Sequence, residues 1–145
     1  MPAKPKKIAY DYRALAEGWD ERRVVNIWNK IKSEPKTPVP GWPPGRAFDY
    51  LVIRAFEIGG LRVQYPYEVT YPQKFGTLEQ IDGVVYLGER AFLVESKDLS
   101  EAAAIEAFAK LRLRLEGRPP GTMGILLARR ILRFPLRSLR NLHLP

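Results

Sequence analysis

A chain of 145 residues has the length of one domain and can bury a core without a covalent or metal staple. It has no cysteine and one histidine, His143, which excludes disulfide frameworks, thiol nucleophiles, Cys-ligated zinc and paired-His metal motifs. The formal charge of +8 is unevenly placed: residues 1–46 carry 10 Lys/Arg against 5 Asp/Glu, residues 47–96 carry 4 against 7, and residues 97–145 carry 10 against 4. Basic flanks suit a polyanion, because each Lys or Arg that neutralises a phosphate releases condensed counterions. No apolar run reaches the length of a membrane span, and the Met-Pro-Ala-Lys-Pro-Lys-Lys start lacks the apolar stretch of a signal peptide. The expectation is a cytoplasmic protein with no membrane partner.

Residues 8–32 read as one or two amphipathic helices, with Tyr12, Leu15 and Trp19, then Val24, Trp28 and Ile31, at helical spacing and Gly18 as a divider. Five prolines in residues 33–46 exclude helix and central strand, so residues 1–46 are expected to be an accessory helix and a linker ahead of a domain spanning 47–145. From Ala47 to Ile58, Phe48, Leu51, Val52, Ala55 and Phe56 share one helical face, and Gly59-Gly60 ends the helix. Residues 62–71 alternate apolar and polar as a half-buried strand does, and Pro66, with no amide donor, makes it an edge strand. Two apolar runs, Gln80–Leu87 and Arg90–Lys97, flank Gly88-Glu89, a two-residue hairpin turn. Asp98 or Ser100 can cap a helix over Glu101–Glu116, stopped by Gly117 and Pro119-Pro120. The run from Gly121 to Ala128 follows as a buried strand, parallel to the strand before it. The predicted order over 47–128 is α-β-β-β-α-β, an α/β fold with a central mixed sheet flanked by helices.

The hairpin fixes a register. If Gly88-Glu89 is the turn, Leu87 faces Arg90, and Asp82 lies across from Glu95. Alternation then puts Lys97 on the Glu95 face and turns Ser96 to the other side. The expected result is two carboxylates and a lysine together. Facing carboxylates destabilise a sheet by themselves. A divalent cation removes the conflict, and Mg²⁺ prefers one or two carboxylates completed by water and phosphate oxygens.

The run Gln80-Ile81-Asp82-Gly83, then a hairpin, then Val94-Glu95-Ser96-Lys97, resembles the signature of the PD-(D/E)xK, restriction-endonuclease-like nuclease superfamily, with Ile81 in place of the family's variable proline. The resemblance spans about residues 45–128, and the superfamily's core is similar to the element order derived above. It implies Mg²⁺-dependent cleavage of DNA phosphodiesters, with Mn²⁺ as a substitute. Asp82 and Glu95 would ligate the metal and Lys97 would assist hydrolysis. Phe48-Asp49-Tyr50-Leu51-Val52 followed by Gly59-Gly60 is similar to the acid-bearing first helix of the Mrr-like and archaeal Holliday-junction-resolvase-like branches, although aspartate stands where glutamate is usual. Asp49 thus joins the candidate catalytic residues.

Each site residue also has a plainer reading. Lys97 with Asp82 and Glu95 is a salt-bridged trio, unbalanced by one acid, and Asp49 and Glu57 are ordinary helix acids. Lys110, Arg112 and Arg114 on the helix over 101–116 are candidate DNA-phosphate contacts, or else a solvated face. Trp19, Trp28 and Trp42 are suited to base stacking but suited better to packing, and His143 has no visible partner. A homodimer is the expectation if both strands of a duplex are cut. Two non-catalytic alternatives stand: a DNA-binding module that keeps the fold, and an interaction subunit of a larger nuclease or helicase.

Overall fold

The computed structural model describes residues 11–33, 39–43, 45–70, 77–97 and 101–129, with only the backbone at 68–70, 77–80 and 101–104. Asp98, Ser100, most of the Pro-rich stretch, His143 and the arginines after Arg129 lie outside the described residues. The elements are α1 (Tyr12–Glu17), α2 (Glu21–Ser33), α3 (Arg46–Ile58), β1 (Arg62–Gln64), β2 (Tyr67–Thr70), β3 (Thr77–Ile81), β4 (Gly83–Leu87), β5 (Arg90–Lys97), α4 (Glu101–Glu116) and β6 (Met123–Ala128).

A four-stranded sheet in the order β1-β4-β5-β6 forms the centre. It is mixed: β1, β4 and β5 are antiparallel neighbours, while β6 joins β5 in parallel after the crossover through α4. The turn at Gly88-Glu89 is as the sequence predicts, with Leu87 paired to Arg90 and Gly88 at a φ of +60°, a backbone region that glycine enters without steric penalty.

Two layers cover the sheet. On one side α1, α2 and α3 share one buried cluster that includes Ala16, Trp19, Ile27, Ile31, Phe48, Ile53, Val85 and Val94. On the other side Leu111 of α4 packs with Ile81, Val84 and Leu93. The tryptophans pack: Trp19 and Trp42 lie 5.0 Å apart by ring centroids, and Trp28 stacks on Phe48. The N-terminal helices therefore share the core of the sheet-bearing part. Arg129, just after β6, donates from Nη1 to the Ile31 carbonyl near the end of α2, tying the two regions again.

The single strand expected over 62–71 is two strands. β1 pairs with β4 in the main sheet, and β2 pairs with β3 in a separate two-stranded ribbon. The run from Gln80 to Leu87 is likewise divided, at Asp82. Both ribbons keep one register, since partner numbers add to 148 in each: Arg62 with Tyr86, and Tyr67 with Ile81. Continued across the gap, that register sets Pro66 opposite Asp82 and Tyr65 opposite Gly83. Pro66 has no N–H to give the ladder, so pairing fails at that rung. Gly83 is required there for space, because a Cβ would stand 2.7 Å from Ile53 Cδ1 and 3.2 Å from Tyr65 Cβ.

Candidate metal and phosphate site

The break at Asp82 changes which way its side chain points. Along β4, Gly83 lies against Ile53 of α3, Val84 belongs to the α4-side cluster and Val85 to the α3-side cluster. Strict alternation would place Ile81 toward α3 and Asp82 toward α4, beside Glu95. Instead Ile81 is in the α4-side cluster, and the Asp82 carboxylate lies against Ser96, on the α3 side. The alternation slips by one at the rung where the ladder is broken. The expected shared face of Asp82, Glu95 and Lys97 is thereby corrected: Asp82 leaves the sheet on the opposite side from Glu95. Their main chains remain neighbours, one step past the Gly83–Val94 pair.

Asp82 meets Asp49 instead. Ser96, fully buried, donates its backbone N–H to Asp82 Oδ2 at 2.7 Å, and its Oγ lies 3.0 Å from that oxygen and 3.1 Å from Asp49 Oδ1. A hydroxyl carries one hydrogen and can donate to only one carboxylate at a time. Burial, then the charge of Asp82, push the Asp49 carboxyl up to about 7, against partial relief from the Ser96 hydrogen bond, Lys97 and Arg46. Near neutral pH a proton on Asp49 completes the chain: Asp49 donates to Ser96 Oγ, which donates to Asp82. Asp49 and Asp82 line an open cleft with Arg46, Tyr50, Pro66 and Ile81.

Glu95 is 5% exposed and faces α4, where Oε1 accepts from Arg114 Nη1 at 2.7 Å. Lys97 Nζ is 3.9 Å from the same oxygen, a loose contact from a half-exposed side chain at the end of β5. The other oxygen, Oε2, is buried and finds no hydrogen-bond partner among the described residues. A buried carboxylate oxygen without a donor is costly, and such an atom marks a place where a cation or water belongs.

The sequence expectation for α4 changes in one respect. Arg114 is turned inward to Glu95, so it does not present its charge to solvent as a phosphate contact would. Arg112 is exposed, and Lys110 is exposed and paired with Glu106 at 2.7 Å. Glu57 pairs with Arg54 at 2.6 Å. Three participants were missed: Ser96 as the bridge between acids, and Arg46 and Tyr50 as cleft walls. Alternation did turn Ser96 away from Glu95, but its partner there depends on the slip at Asp82. Among the described residues no three Asp, Glu or His side chains converge closely enough to hold a metal, and no helix is long and apolar enough to cross a membrane. No protein-family model, curated protein or solved structure matches this chain.

Proposed function

We propose that the chain is a Mg²⁺-dependent DNA endonuclease with a restriction-endonuclease-like core, in which Asp49 and Asp82 form the cation-binding pair and Glu95 and Lys97 complete the site. The observation that carries this reading is two carboxylates on one serine hydroxyl at the wall of an open cleft. Without a cation the pair must hold a proton or repel, and a hard divalent ion replaces that proton. The orphaned Glu95 Oε2 fits the same demand from the other side of β5. For Glu95 to join, its pair with Arg114 must open, which is a rotamer change rather than a change of fold.

When bound, Mg²⁺ polarises a phosphoryl oxygen and makes its water a better nucleophile at neutral pH. The protein's own residues do the rest. Lys97, half-exposed at the strand end, orients water or offsets charge building on the phosphate. Arg46, across the cleft from neither acid by more than one helical turn of α3, supplies positive charge to a bound phosphodiester. Ser96 holds the Asp82 carboxylate through two hydrogen bonds to one oxygen.

The closed Glu95–Arg114 pair favours a second reading, the DNA-binding module without catalysis, because it occupies the motif glutamate with an internal partner. Incubation of the full chain with supercoiled plasmid, branched DNA and single-stranded DNA, with Mg²⁺, with Mn²⁺ and with a chelator, separates the two. Nicking that needs the metal supports the endonuclease. DNA that is bound and left intact under every condition supports the binding module, and absence of binding returns the chain to the class of interaction subunits.

A further inference from the structure

α4 is apolar on two sides. Ala107 and Leu111 are buried and Leu115 is partly so, the three packing toward the sheet. Ile105, Phe108 and Leu113 are 55%, 55% and 67% exposed, and with the exposed Ala109 they follow the i, i+3, i+4, i+8 spacing of a second stripe. The other large exposed apolar residues among those described, Leu15, Val25 and Leu87, are scattered over three elements, as is normal for a protein surface. Three on one stripe of one helix form a patch, which is the signature of a covered face.

We propose that this face of α4 packs antiparallel against the same face of a second copy of the chain, about a two-fold axis at Ala109. The sequence of the stripe is self-complementary in that arrangement and in no parallel one. Positions equally far from Ala109 meet: Ile105 packs on the partner's Leu113, and Glu106 lies across from the partner's Arg112. Phe108 lies under the aliphatic stem of the partner's Lys110. Each contact occurs twice, as an isologous interface requires. Ala109 at the crossing lets the helix axes approach to the usual 8–10 Å. A parallel pairing would set Glu106 against Glu106 and Arg112 against Arg112. One helix face is smaller than the roughly 800 Å² per partner of a standard interface, so the affinity belongs in the micromolar range. The pairing stands whether or not the chain cuts DNA.

Sedimentation of the full chain at low salt tests it. The expected result is a reversible monomer–dimer equilibrium with a Kd on the order of 10–100 µM. Phe108→Glu should weaken it about tenfold or more, and Glu106→Arg should weaken it severalfold by setting two arginines together. Adding Arg112→Glu to Glu106→Arg should restore the wild-type Kd, which general aggregation would not do. Circular dichroism establishes that each variant folds, and the charge exchange at two exposed positions still decides the matter if Phe108→Glu does not. A chain that stays monomeric up to about 1 mM, or a dimer indifferent to both the Phe108 change and the charge exchange, overturns the proposal. A monomer would leave the face to a foreign partner or to another segment of this chain.

Discussion

Asp49 sits where its charge is least welcome, half in the core of α3 and beside another acid, and the consequence is a pH dependence of known sign. Its folded-state carboxyl, near 7, lies above its ordinary value of 3.8. A raised carboxyl contributes full stability only below about pH 4, and that contribution is lost as pH rises through 7. Asp49→Asn should therefore be more stable than wild type at pH 8 without metal, by on the order of 2 kcal/mol, with the gap closing toward pH 4. Urea unfolding at both pH values reads the difference directly, and an aspartate protein that is the more stable at pH 8 would contradict the shared-proton account. Gly83 makes a steric prediction at the same scale. Gly83→Ala drives a Cβ into Ile53 and Tyr65, both buried, and should destabilise by roughly 1–3 kcal/mol, seen as a lower urea midpoint.

At the scale of elements, β5 and the helix after it show what local pattern can and cannot reveal. The register of β4 on β5 was legible because a two-residue turn and an eight-residue apolar run leave one pairing that keeps the core face inward. The bounds of α4, including Glu101 and Glu116, were legible from periodicity and the Gly-Pro stop. The side-chain direction of Asp82 was not. It depends on Pro66, sixteen residues away and across a ladder, and on the chain leaving one sheet for another between β3 and β4. For the same reason Arg114 read as a solvated residue: its partner Glu95 is on a neighbouring strand, which helix periodicity does not contain. That ion pair is nearly out of water, so Arg114→Ala should destabilise by about 3 kcal/mol by leaving Glu95 uncompensated. Adding Glu95→Gln should recover part of the loss, and a double-mutant cycle by thermal unfolding with additive effects would refute the coupling.

For the whole molecule, the +8 charge is the feature that composition alone made plain, and it bears on affinity rather than on cutting. DNA binding measured by fluorescence anisotropy should weaken steeply and linearly in a plot of log affinity against log salt, with a slope of about −0.9 for each phosphate neutralised. A flat line would favour the interaction subunit. The fold explains how such a small chain presents a site at all. Three helices and α4 cover opposite faces of one sheet, and the broken rung at Asp82 brings acids from α3 and from the β3–β4 junction to a single cleft. The most direct test is thermal unfolding of wild type and Asp82→Asn at pH 8 across a Mg²⁺ titration. A ligand that binds only the folded state stabilises it by about 2.7 kcal/mol at a hundredfold excess over Kd, so the wild-type Tm should climb with Mg²⁺ while that of Asp82→Asn stays nearly level. Equal Mg²⁺ responses from the two proteins would contradict the cation-binding pair.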